Sequence, residues 1–551
     1  MRPWQQTVVH ALAGAVALGV WPQPAPAQSA PDPHAAHLYE IPTVPDEILS
    51  RPIALQTGIG ITHDQTSTPS QPAQRFYDQG LAYLHDYMWV EAARSFNQAL
   101  GLDRTLILAR VGLSDAYEGL NQPSGARAVL ETIRSANTVL TEHDQAHIAV
   151  NARRMEAEAA HGEGEKMAAY RRALDLALDR FPSDVELWLQ RGIAESPNPG
   201  DRGQGAVTSS IPYFQRALQV SPDHFAAHHY LVHAYENTGR VEEALEHGAA
   251  YARLAPEVPH ARHMYGHDLR RVGRIREAVT EFETANRLET ASFTSEKTPP
   301  EWDWHYEHNL DLLATSYQFL GQISKAEPLL RSAFALPTSN LIQALNKRQW
   351  PMFLRALGRG DDAMNAARVL IQHPNLVVQA EGHIEAAHVR LAMGDFPEAA
   401  TEESAARAAL AARPPGAVLA TQPLEVLHGE YLLRTGQRAA GRAALEAAVR
   451  KIRAATGPDE WAEALFTLES IGRAAQAVGD WDFAAWLADQ MRSHDAAYAG
   501  SHYALGLVAD HLADRTTAIR EFTLALQLWS TADPSFPALR DLRNRLNLSA
   551  P

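Results

Sequence analysis

A 34-residue period constrains this chain more than any other feature. It is plainest from Phe225 onward, where FAAHHYLVHAYENTGRVEEALEHGAAYARLAPEV is followed by PHARHMYGHDLRRVGRIREAVTEFETANRLE. Offset by 34, His229 matches His263, His233 matches His267, Gly239 matches Gly273 and Ala244 matches Ala278. A unit of this length is one supersecondary element, and it buries its apolar face only by stacking on its neighbours. The glycine and alanine matches serve that stacking. The histidine matches do not, so they are the functional lead.

The same period runs along most of the chain. Gly80, Tyr83, Ala92, Phe96 and Ala99 fall at positions 8, 11, 20, 24 and 27 of a unit, and a second unit starts near Ile107. Residues 139–183 read as a longer, less regular helix pair, and a fourth unit from Val185 breaks for the loop SPNPGDRGQGAVT. A second insertion is expected over Thr290 to Glu301. Seven inter-helix turns carry Gly239, Gly273, Gly321, Gly358, Gly394, Gly436 and Gly479. Five residues after each stands Ala244, Ala278, Ala326, Ala363, Ala399, Gly441 or Ala484. The first glycine ends a helix in the left-handed region, and the small residue lets the next helix cross closely. This pattern resembles the tetratricopeptide repeat. The resemblance implies an all-α, right-handed superhelical solenoid of about twelve antiparallel helix pairs with a concave groove.

The remaining segments divide the chain. Residues 1–27 read as an export signal, with Arg2, an apolar core from Val8 to Val20, and Ala25-Pro26-Ala27 as the cleavage motif. That core is too short for a membrane span of ~20 residues, so no stable span is expected in a mature chain that is periplasmic or secreted. Residues 28–72 read as an extended Pro/Ser/Thr-rich lead-in without helix, with a short strand expected near Ile59 to Thr62. The array covers 73–533, and 534–551 supply a closing helix and tail. A net charge of -16 argues against nucleic acid as a partner, and zero cysteines exclude thiolate metal sites and disulfides.

In tetratricopeptide repeats the first helix of each pair lines the groove, and by that resemblance His229, His233, His263 and His267 face it. Histidines at i and i+4 share one helical face, and adjacent helices bring imidazoles together on one cation. Glu236 follows on the same face, His260 precedes it on the next helix, and His308 and Asp311 extend the set. His388 and Glu430 hold comparable positions in later units. The stretches HHYLVHAYE, PHARHMYGHDLRRVGRI and HNLDL further resemble the motifs of a histidine-containing family of exported bacterial tetratricopeptide proteins. That resemblance places His229, His233, Glu236, His260, His263, His267 and His308 at motif positions. Asp311 and Trp89 stand where that family has histidine, and its cysteine is missing.

Three readings follow for this groove. A divalent transition metal (zinc, copper, nickel or iron) suits His229, His233, Glu236, His263, His267, His308 and Asp311. An extended peptide, a protein or a small anionic ligand suits the same groove with His260, Arg270, Arg271, His388 and Glu430, the arginines adding positive charge. Alternatively the histidines only join neighbouring helices. If metal is bound, hydrolytic or oxidative catalysis is a further option, although no reaction is selected. HIEAAH at 383–388 is not a zinc-protease motif, because its histidines are five apart.

Overall fold

Twelve antiparallel helix pairs stack in chain order in the computed structural model, which describes residues 42–134, 140–196, 198–338, 340–454 and 460–548. The first pair is Gln71–His85 with Trp89–Leu102, and the last is Ala499–His511 with Arg515–Leu528. The closing helix is Pro537–Arg545. No strand occurs among the described residues, and no described helix is long and apolar enough to cross a membrane. The expected signal segment lies outside the described residues.

The repeat chemistry is visible in the backbone. All seven turn glycines have positive φ, from +72° at Gly321 to +90° at Gly436. The small residues five positions on are buried, and at Gly441 a side chain is sterically barred. A Cβ there would lie 2.5 Å from the Leu433 backbone nitrogen, so glycine replaces the alanine used elsewhere. Within a pair, the aromatic at position 24 covers the glycine at position 8. Phe96 covers Gly80, Phe214 covers Gly192, Phe282 covers Gly266 and Phe522 covers Gly506. Phe96, Phe214 and Phe282 are fully buried, and this repeated plug sets the spacing between helices.

The solenoid returns on itself, and this decides the environment of the histidines. The segment before the seventh pair comes back to the first: Trp304 Nε1 donates to the Tyr87 carbonyl at 3.1 Å, and Arg94 pairs with Glu296 at 2.7 Å. A similar closure joins the far end to the middle. The Asp533 amide donates to the Gly321 carbonyl at 3.0 Å, and Arg276 reaches Thr531.

Two local expectations need correction. Ile59 to Thr62 forms no strand; side-chain contacts hold this strap, with Gly60 against Phe225 and Thr62 donating to Glu186 at 2.9 Å. The insertion expected over Thr290 to Glu301 is present; its first part extends the helix Ile275–Glu296, with Thr290 Oγ1 donating to the Asn286 carbonyl. The lead-in also contains a short helix, Asp46–Leu49, and its end overlaps the first repeat helix, which starts at Gln71.

Candidate metal centre

The fifth pair begins with Phe225–Asn237, the sixth is Pro259–Arg271 with Ile275–Glu296, and the seventh begins with Tyr306–Phe319. Their first helices lie side by side and bring the matched histidines into one ladder. Two triads occur in it, His229–His233–His260 and His263–His267–His308, each with its ligand atoms within 4.8 Å of one another.

Hydrogen bonding fixes the first triad. His229 Nδ1 lies 2.7 Å from the His85 carbonyl, which can only accept, so Nδ1 carries the proton and Nε2 presents its lone pair. That lone pair faces Nε2 of His233 and Nε2 of His260, each at 3.0 Å. One lone pair has two imidazole nitrogens competing for it. Metal–nitrogen bonds of ~2.0–2.1 Å in tetrahedral geometry would place such nitrogens about 3.3 Å apart, close to what is found.

The second triad is ordered from behind. His263 Nδ1 donates to Asn309 Oδ1 at 3.0 Å. The Asn309 amide is oriented in turn by donating to the Phe282 carbonyl and to Glu289 Oε2, both at 3.3 Å. This turns His263 Nε2 toward its neighbours, where it has no hydrogen-bond partner. His267 Nδ1 is 3.5 Å from Glu236 Oε1, the carboxylate–histidine arrangement that orients metal ligands. Glu236 is thus placed behind a ligand, not among the converging atoms.

These side chains do not line an open groove, as the repeat resemblance implied. His229 is 0% exposed and His263 1%, because the returning segment 297–305 and the turn at Tyr87 close over them. Tyr251 stacks on His229 at 4.7 Å between ring centroids, and Tyr87 and Trp304 approach His260 at 5.1 and 6.0 Å. Burial, reinforced by neighbouring imidazoles, holds His229, His260 and His263 well below the usual histidine range and His233 down to about 4. At neutral pH they are in the uncharged form that binds metal.

His305 was missed by sequence reasoning. Its ring lies 4.2 Å from His263 and 4.8 Å from His260, between the triads, with Nδ1 2.8 Å from Glu289. The signal was present, three residues before His308, but His305 lies ahead of its helix and outside the 34-residue register. Asp311 is buried on the His308 helix but is not among the converging ligands.

The arginines expected to draw an anion are engaged inside the protein. Arg270 Nη1 donates to Thr315 Oγ1 at 3.0 Å, and Arg271 Nη1 is 3.8 Å from Glu236. His388 and Glu430 pair with each other at 2.9 Å and are not brought to the ladder. His388 lines a cavity in the second half with Arg348, Arg355, Glu381, Glu385 and Glu463. Burial opposes ionisation of Glu430, but the His388 hydrogen bond prevails and holds its carboxyl at about 2.

Residues 202–267 match the tetratricopeptide repeat family. The chain therefore carries tetratricopeptide repeats, and the match includes the first triad. No curated protein matches the chain. Solved structures that match include a tetratricopeptide repeat protein from Parabacteroides merdae, 12% identical with a TM-score of 0.33, covering 48% of this chain and 93% of that one. Another is YrrB, described as a TPR protein with an unusual peptide-binding site, at 17% and 0.27, covering 36% and 91%. Yeast Tom70 matches at 11% and 0.31, covering 86% and 96%.

Proposed function

We propose that this chain is an extracytoplasmic tetratricopeptide-repeat scaffold whose first half holds transition-metal ions on the buried imidazole ladder. The observation that carries this reading is the first triad. His229 has its proton committed to a backbone carbonyl and its lone pair turned to two further Nε2 atoms at 3.0 Å. Helices whose histidines served only to join neighbours would pair each bare nitrogen with a donor. Four of the six triad histidines are buried and only His233 and His308 are partly exposed, which favours holding an ion over presenting it to substrate, so storage, delivery or metal-dependent partner binding fits better than hydrolysis.

The test uses the untagged chain, stripped with chelator and reloaded separately with zinc, copper, nickel and ferrous iron. Elemental mass spectrometry should show that His229→Ala/His260→Ala and His263→Ala/His267→Ala each lower the content by about one ion per chain for at least one metal. Equal metal content in wild type and both variants would overturn the reading.

A further inference from the structure

Away from the ladder, two histidines and two aspartates meet where the strap crosses the third and fourth pairs. His143 and His147 are four residues apart on Glu142–Ala159, Asp184 caps the helix Val185–Ile193, and Asp64 belongs to the strap. One atom from each lies within 4.8 Å of the others. His143 Nε2 is 2.9 Å from Asp184 Oδ2 and 3.4 Å from Asp64 Oδ1, and His147 Nε2 is 2.8 Å from the same Asp184 oxygen.

The supporting contacts divide the work within each carboxylate. Asp184 Oδ1 accepts the Leu187 amide at 3.1 Å, which leaves Oδ2 for the histidines. Asp64 Oδ2 accepts the Tyr77 hydroxyl at 2.7 Å, which leaves Oδ1 for them. The Asp64 carbonyl is itself held, accepting from Gln74 Nε2 at 2.8 Å. Two carboxylate oxygens, each oriented by an outer contact, and two imidazole nitrogens therefore converge from three separate elements. The separations of 2.8 to 3.4 Å bracket the ~3.3 Å edge of a tetrahedron with ~2.0–2.1 Å bonds. Without an ion, the two Nε2 atoms both donate to the same Asp184 oxygen, at 2.9 and 2.8 Å. His143 Nδ1 is buried without a partner, so its ring is not placed by a competing bond on that side. The site is not sealed, because the His143 side chain is 20% exposed and gives a cation a way in.

We propose that Asp64, His143, His147 and Asp184 form a separate zinc-type site that staples the strap to the repeats. The donor set, two imidazole nitrogens and two carboxylate oxygens, suits zinc and the neighbouring divalent first-row metals, with the imidazole protons released as an ion enters. Its consequence reaches the ladder mechanically. Two residues before Asp64, Thr62 donates to Glu186 Oε1, and the other Glu186 oxygen pairs with His85, whose carbonyl fixes His229.

The test is made on the full untagged chain with zinc as the only added metal. Asp64→Asn/Asp184→Asn and His143→Ala/His147→Ala should each bind about one zinc fewer than wild type, with circular dichroism confirming folded protein. Zinc should also protect the strap near residues 58–66 from limited proteolysis in wild type and in the ladder variant His263→Ala/His267→Ala, but not in the two strap-site variants. If strap-site variants keep the full zinc content, or zinc leaves strap cleavage unchanged in wild type, the cluster is an ion-pair network and the proposal fails. Because the ladder variants retain this site, its loss and the loss of the ladder are read separately. If one pair of variants misfolds, the other and the wild-type proteolysis still decide.

Discussion

Glu381→Gln should raise stability by up to roughly 4–5 kcal/mol at pH 9 and leave it nearly unchanged at pH 5. Glu381 is 1% exposed, and neither carboxylate oxygen has a hydrogen-bond partner. The nearest cation, Arg348, stands 3.8 Å away because its guanidinium is taken up by Glu463. Burial, opposed by Arg348 and reinforced by Glu385 and Glu463, pushes the Glu381 carboxyl from 4.5 up to about 8. Between those two values the folded chain keeps a proton that the unfolded chain has released. Wild type therefore loses stability as pH rises through that window, and the loss is complete above about 8. The glutamine amide has the same shape and no charge to bury, so the variant escapes the loss. Chemical denaturation of both proteins at pH 5, 7 and 9 measures the difference. A gap that does not change with pH would show that Glu381 is ionised and paired in the fold.

Phe282→Ala should cost about 3–5 kcal/mol and selectively weaken the second triad. Phe282 is 0% exposed, fills the space over Gly266, and has its ring 5.5 Å from His263 and 6.4 Å from His267. Its carbonyl also helps orient the Asn309 amide that holds His263. Removing the ring opens a cavity directly behind two ligands, and a metal site tolerates displacement poorly. Phe522→Ala is the matched control, because Phe522 plugs Gly506 in the same register in the last pair. Urea denaturation should show substantial destabilisation in both variants, whereas metal analysis should show the loss only in Phe282→Ala. Equal metal content in the two variants would mean that the second triad does not depend on its packing.

The architecture was legible because its signals are local. A glycine that must adopt positive φ, and a small residue five positions later under a crossing helix, are set by the geometry of one pair. All seven such turns appear as expected. The matched histidines were legible for the same reason: a 34-residue register places equivalent residues on neighbouring first helices. The insertion at Thr290 was legible as a break in the register, although the register did not show that its first part continues the helix Ile275–Glu296.

The sequence by itself determined the stacked helix pairs and the alignment of His229, His233, His263 and His267. Their burial was decided by tertiary structure. Closure of the solenoid carries Trp304 to Tyr87, 217 residues apart in the chain, and converts a lining of side chains into an interior. The same closure inserts His305 between the triads, and the strap carries Asp64 to His143, His147 and Asp184. Repeat periodicity encodes each pair's contact with its neighbour. Contacts made when a superhelical turn returns on itself depend on small angles summed over many pairs, and no short stretch of sequence contains that sum.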